Sequence, residues 1–457
     1  MRARRLGTGE QPGGAGRGLK ATVVGGGLGG CEAAWALAER GVAVRLYEMR
    51  PARSTPAHRT DTLAELVCSN SFKSTETTNA HGLLKAEMRR LGSVVLRAAE
   101  AARVPGGAAL VVDRLAFSRM VHERISAHPL IRVVREEVVE LPSPAVVATG
   151  PLTSDRLSDT LGRRLGVQAL AFFDAIAPIV ADDSLDHGAL FRASRYGKGD
   201  GDDYLNAPMD TARYGEFVAA LLAADQYEPS HEFDRIPFFE GCLPVEEMAR
   251  RGPDTLRFGP MKPVGLLDPR TGREAHAVVQ LRREDRAGQM WNLVGFQTRL
   301  RTAEQQRVLR MIPGLERAEF LRYGSVHRNS YLNAPATLSP HLALRDDPAL
   351  LVAGQLTGVE GYTESAASGL LAGINLARIL QGEAPRVPPP TTMLGALYRY
   401  LRESDPARFQ PMNANFGLLD PLDPPLRDKD AKKRRLAERA LAAVDAFAND
   451  LAVAVPA

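Results

Sequence analysis

Between residues 21 and 48 the apolar positions change period twice. Residues 21–24 (ATVV) form a short continuous apolar run, as a strand buried on both faces requires. GGGLGG breaks that run at once. CEAAWALAER then reads as a helix rich in alanine and leucine, closed by Gly41 where a left-handed residue costs least. A second apolar run over 42–47 ends on Glu48. The pattern predicts a strand–helix–strand unit of ordinary length.

Farther along, the periodicity predicts helix over 83–100 and 113–125, and strands over 131–134 and 145–148, the last stopped by Thr149-Gly150-Pro151. From about 165 to 330 the rhythm changes. Aromatic and proline-rich stretches (ALAFFDAIAPIV, RIPFFEGCLPVE, FGPMKPVGLLDP) alternate with strand patterns such as AVVQLRR and MWNLVGFQT. An inserted α+β domain on an antiparallel sheet is expected there. A strand over 349–354 and a helix over 364–380 resume the first pattern. The connector EAPRVPPPTT, the helical segment MLGALYRYLRES and an alanine-rich helix carrying Lys432, Lys433, Arg434 and Arg435 follow. The expected class is α/β, with a Rossmann-like dinucleotide-binding domain over 19–165 and 331–420, interrupted by a substrate domain over 166–330. Residues 1–18 are expected to be an unstructured leader and 421–457 a basic extension.

Composition changes this picture little. The 457 residues are 44% hydrophobic and 25% charged, which excludes fibrous and wholly disordered classes. No run approaches the ~18 apolar residues of a membrane span. The N-terminal segment is basic but lacks the apolar core of a secretory signal, so a cytoplasmic location and no membrane are expected. The net charge of +4 and an isoelectric point near 9.0 are compatible with a polyanionic partner. Cys31, Cys68 and Cys242 are too few for a disulfide framework and lack metal-ligand spacing, so no metal is expected.

The chemistry begins at Gly25-Gly26-Gly27-Leu28-Gly29-Gly30. This G-x-G-x-x-G follows a strand, opens a helix and is answered 23 residues after Gly25 by Glu48, where a carboxylate can accept from ribose hydroxyls. Gly25 permits the turn, Gly27 lets backbone approach a pyrophosphate, and Gly30 lets helix pack on strand. FAD rather than NAD is argued by the far end. There Gly354, Gln355 and Gly361 frame a glycine-rich turn before a helix that starts in small residues, and Gly150 closes an ATG strand end. Cys68 in ELVCSNSF and Cys242 in FFEGCLPVE lie in polar, irregular surroundings suited to reactive thiols. Cys31 sits in the helix behind the glycines, where a small packing residue is expected.

The segments LYEMRP, TPAHRTDTLAELVCSNSF, ATGPLTS, FFEGCLPVEEMARRG, FGPMKPVGLLDP, RYGSVHRNSYLNAP, AGQLTGVEGYTESAASGLLAGINLAR and QPMNANFGLL resemble the bacterial folate- and FAD-dependent tRNA (uracil-5-)-methyltransferases over residues 21–419. Gly29 and Cys31 depart from that pattern, standing where relatives commonly carry Ala and Ser. The resemblance implies a tRNA methyltransferase that makes 5-methyluridine at position 54 of the T loop. Carbon would come from methylenetetrahydrofolate, and electrons from NAD(P)H through FAD. C5 of uracil is a feeble nucleophile, and thiolate addition at C6 turns the ring into an enolate able to attack a one-carbon electrophile. Cys68 and Cys242 are the thiols the resemblance carries over, without deciding which adds to C6. Lys73 and Arg328 are candidate activators. His327 is the candidate for stacking on the pterin, while Lys262 and Arg282 could meet folate carboxylates or tRNA phosphates. Two other readings are a wobble-uridine-modifying tRNA flavoprotein and a non-catalytic flavin-bearing RNA-binding protein.

Overall fold

The computed structural model describes residues 18–55, 57–166, 170–227 and 243–453. Its centre is a five-stranded, wholly parallel sheet in the order Leu350–Val352, Ala145–Val147, Lys20–Val24, Ala43–Tyr47, Ile131–Val134. The apolar runs read from the sequence are these strands, and Val23, Leu46, Val146 and Leu351 are wholly buried. All five point the same way. The glycine loop after Val24, Glu48 after Tyr47, Thr149-Gly150 after Val147 and Gly354 after Val352 therefore emerge at one carboxyl edge, where open parallel sheets bind ligands.

Two helices cover this edge's approach. Leu28–Ala38 follows the glycine loop, and Tyr362–Leu380 lies against it at backbone distance. A Cβ on Gly369 would stand 2.0 Å from Gly29 O, and one on Gly373 would stand 2.5 Å from Ala33 O. Only small residues allow that approach, which fixes where the start of the long helix sits.

The helix expected over 83–100 is two helices, Ala80–Arg90 and Val94–Ala101. Gly92 at φ +83° breaks it, and Ser93 caps the second, its Oγ accepting from Leu96 N at 3.1 Å. The buried Glu32 carboxylate also accepts from Val94 N and Val95 N, so the glycine-loop helix caps this neighbour.

Glu87 plays the same part for Met393–Glu403, accepting from Met393 N at 2.7 Å and Leu394 N at 2.9 Å with no solvent exposure. Glu87→Ala leaves two buried N–H groups without partners. We expect it to lower unfolding free energy by roughly 2–4 kcal/mol in denaturant titration, whereas an unchanged midpoint would deny the cap its role.

A second hydrophobic core, around Trp291, Phe217 and Phe296, draws on residues 180–318, while the first draws on 21–161 and 331–451. The second surrounds a six-stranded antiparallel sheet in the order Phe191–Arg192, Tyr204–Met209, Ala277–Arg283, Met290–Leu293, Ile179–Ala181, Phe320–Arg322. Leu170–Ile176 and Ser325–Tyr331 pair as a separate antiparallel ribbon. The C-terminal helix Lys429–Val453 is packed rather than detached: Leu436, Ala440, Val444 and Phe447 join the first core, and Lys432 to Arg435 face solvent. Among the described residues no helix is long and apolar enough to cross a membrane.

Candidate active site

The glycine loop divides its labour by position. Gly25 stands at φ +103°, where a Cβ would meet Ala148 O at 2.6 Å. On Gly30 it would fall 1.7 Å from Gly25 O. Gly27 has nothing within 4 Å of its Cβ position, so its open side admits a ligand to the N-terminus of Leu28–Ala38. Gly29 backs onto the other end of the chain, its Cβ position 3.0 Å from Ser365 O and 3.4 Å from Gly354 Cα. Gly354 (φ +73°) and Gly361 (φ +115°) both occupy the left-handed region. Gly354 N donates to Ser368 Oγ at 2.7 Å, and Gln355 Nε2 donates to Glu360 Oε2.

Glu48 borders a cleft lined by Gly25, Gly26, Gly27, Tyr47, Met49 and Thr149, among others. Its Oε2 accepts from Gly26 N (3.1 Å) and Arg50 Nη2 (3.1 Å), and its Oε1 from Arg50 N (3.0 Å) and Arg50 Nε (2.9 Å). Burial pushes this carboxyl up, but the bonds and charge of Arg50 outweigh it and hold it below the usual carboxylate range. All four acceptor positions are engaged, so a ribose diol reaching Glu48 takes over or shares one of Arg50's bonds. The open glycine, the helix N-terminus and the carboxylate at the next strand end fit the pyrophosphate and ribose of a dinucleotide.

The segment that leads to Cys68 touches this loop. Ala64 N donates to Gly26 O at 2.8 Å, which pins the preceding segment to the glycines. Arg114 then donates to Leu66 O and Arg322 to Val67 O, the latter at 2.8 Å. The Tyr362 hydroxyl oxygen accepts from Cys68 N at 2.8 Å and Ser69 N at 3.0 Å. Asn70, fully buried, donates to Val112 O and Arg283 O and accepts from Arg282 Nε at 3.0 Å. Successive residues from 66 to 70 are thus held by side chains from four other segments, and Cys68 remains half-buried at their centre.

Two guanidinium groups reach it. Arg114 and Arg322 both interact electrostatically with Cys68, with Glu284 paired to Arg114 at 2.9 Å. Lys73 is exposed and its charge falls on Lys85 and Glu364, and the side chain of Arg328 is outside what is described.

The other expected residues are placed unevenly. Cys242 lies outside the described residues, as does the side chain of His327, whose backbone pairs with Asp174 in the ribbon. Arg282 is buried, its Nε bonded to Asn70 and its Nη2 3.5 Å from Asn292 Oδ1. Lys262 is half-buried, and its carbonyl accepts from Arg195 Nη2. Gly150 turns at φ +69° beside the cleft. Cys31 is a packing residue, wholly buried, its Sγ 3.4 Å from Gly26 O, and burial pushes its thiol far up. Sequence reasoning missed Tyr362, Arg114 and Arg322. Of these only Tyr362 carried a signal, as the aromatic at the start of a helix otherwise opening in small residues.

A crevice at the carboxyl edge of a parallel sheet, with an open glycine turn at a helix N-terminus and a carboxylate one strand away, defines the dinucleotide-binding class of flavoprotein folds. Residues 20–384 match the family described as glucose inhibited division protein A. The methylenetetrahydrofolate–tRNA-(uracil-5-)-methyltransferase TrmFO of Geobacter sulfurreducens is 60% identical, over 93% of this chain and 98% of its own. The protein of that name from Desulforudis audaxviator is 56% identical, over 94% and 98%. GidA of Aquifex aeolicus shares the fold at TM-score 0.69 and 16% identity, covering 96% of this chain and 74% of its own. The chain belongs to the glucose inhibited division protein A family, in its TrmFO branch.

Proposed function

We propose that this protein methylates C5 of uridine 54 in the tRNA T loop, taking carbon from methylenetetrahydrofolate and electrons from NAD(P)H through FAD, in the cytoplasm and without a metal. The observation that carries the reading is 60% identity to a methyltransferase of that name along 98% of its length, in a chain whose Cys68 segment is tied through Ala64 to the glycine loop of a dinucleotide crevice. On this reading residues 19–165 and 331–420 form the FAD domain and 166–330 the substrate domain.

Gly25 to Gly30 and Glu48 would hold the pyrophosphate and ribose of FAD, with Gly150, Gly354, Gln355 and Gly361 around the remainder. Bound FAD supplies the electrons that reduce the transferred carbon to a methyl group. Cys68 adds to C6 of uracil as thiolate, with Arg114 and Arg322 beside it, and leaves again when the C5 proton is lost. Its backbone is fixed before the base arrives, which lowers the entropic cost of the addition. Cys242 serves as the second thiol, and His327 stacks on the pterin. Lys262 meets folate carboxylates or phosphate, and Arg282 acts on the substrate side through Asn70. The uridine must leave its stack to reach the thiol.

Arg283, Arg299 and Arg301 grip phosphates without reading bases. Raising salt from about 50 to about 200 mM is expected to weaken tRNA binding at least tenfold in a filter or fluorescence titration. Salt-independent affinity would remove this part of the reading. The reaction itself is tested by supplying T-loop and anticodon-loop RNAs with methylenetetrahydrofolate and NADPH. Methyl incorporation is expected in the first alone, and incorporation at the wobble uridine would reverse the assignment.

A further inference from the structure

Lys85 has no part in the chemistry above, yet its whole side chain is buried. It rises from Ala80–Arg90, and its Nζ donates to Phe72 O at 2.7 Å. Phe72 belongs to the short strand Ser71–Ser74, which leaves the Cys68 loop directly after Asn70. The same carbonyl lies 3.4 Å from Thr363 Oγ1, in the first turn of Tyr362–Leu380. Next in that turn is Glu364, also buried, which accepts from Ala414 N at 2.9 Å and pairs with His81 Nδ1 at 3.0 Å. Its neighbour Tyr362 accepts the two N–H bonds of Cys68 and Ser69. One ammonium group therefore stands where the exit of the Cys68 loop meets the helix start that also holds the loop's centre.

A buried ammonium is a costly way to bond one carbonyl, because burial removes its hydration and an apolar residue of similar length would fill the space. Its charge is balanced by Glu364 and opposed by Lys73 on the strand and Arg89 on its own helix, while His81 shares Glu364. We propose that Lys85 is a positioning residue for the Cys68 thiol, its cation clamping the strand after the loop against the carboxylate-bearing first turn of the long helix. The proposal rests on the reading of Cys68 as a catalytic thiol.

Burial pushes the Lys85 ammonium down to about 7, with Glu364 opposing that fall. The clamp therefore carries its charge below neutrality; as pH rises through about 7 the amine keeps a donor for Phe72 O but loses its attraction to Glu364, and turnover weakens over the same window. Arginine stays charged across that range.

The test compares pH profiles of tRNA methylation between about pH 6 and 9 for wild type, Lys85→Met, Lys85→Arg and Cys68→Ala, with flavin content measured for each. Wild type is expected to show a falling limb near neutrality. Lys85→Met should keep its flavin, lose at least tenfold in kcat at the acid side and show no such limb. Lys85→Arg should carry the limb to higher pH. A Lys85→Met enzyme with wild-type kcat and profile overturns the proposal. So does a limb unmoved in Lys85→Arg, which decides the matter if the methionine variant does not fold. Methylation surviving in Cys68→Ala would instead remove the underlying reading of the thiol, whatever Lys85 does.

Discussion

Replacing Cys68 by alanine is expected to lower tRNA methylation by on the order of a thousandfold or more while leaving the protein yellow. The size follows from the chemistry: without addition at C6 the uracil ring has no enolate, and C5 does not attack. The sparing of the cofactor follows from the structure. The loop around Cys68 is held through its backbone, by Arg114 at Leu66 O, Arg322 at Val67 O and Tyr362 at two N–H groups, and none of these bonds uses the thiol. Alanine keeps them all. Flavin content by absorbance and methylation by mass analysis of tRNA separate the two effects, and a variant that turns over at the wild-type rate would remove Cys68 from the reaction. Loss of flavin along with activity would instead make Cys68 a structural residue.

The second large effect is expected in the glycine loop. A methyl group on Gly30 would stand 1.7 Å from Gly25 O, and backbone on both sides cannot yield without moving the strand from the helix. Gly30→Ala should cost about 1–3 kcal/mol or more of stability and abolish flavin retention. Gly27→Ala makes the informative contrast. Its φ of −76° suits any residue and its Cβ position is open, so the fold should stand with an unchanged melting temperature. The added methyl group occupies the space a pyrophosphate needs, and flavin retention should fall. Full retention in Gly27→Ala would move the phosphate site elsewhere.

The parallel sheet and the glycine turn were legible because both depend on local pattern: a strand buried on two faces is continuously apolar, and glycine marks backbone that side chains would obstruct. The break at Gly92-Ser93 was lost because the apolar period runs through it unbroken, while the capping that starts the second helix comes partly from Glu32, 62 residues before Val94. AVVQLRR declared a strand but not which arginine turns inward. Arg282 proved to be the buried one, since Asn70 waits for it on another segment. Arg114 looked like an ordinary first-turn residue of a helix, and its reach back to Leu66 O is a contact no periodicity encodes. The polar neighbours of Cys68 stand beside it in the sequence, whereas Arg114 and Arg322, whose charges interact with it, arrive by tertiary folding alone.

The most direct measurement supplies the purified protein with unmodified tRNA, NADPH and methylenetetrahydrofolate carrying carbon-13 in its methylene group, followed by mass analysis of the digested RNA. The account expects a single labelled carbon per tRNA, found as the methyl group of 5-methyluridine in the T loop. Carbon-13 remaining wholly in the folate pool, with unmodified uridine recovered from a flavin-replete enzyme, would contradict it.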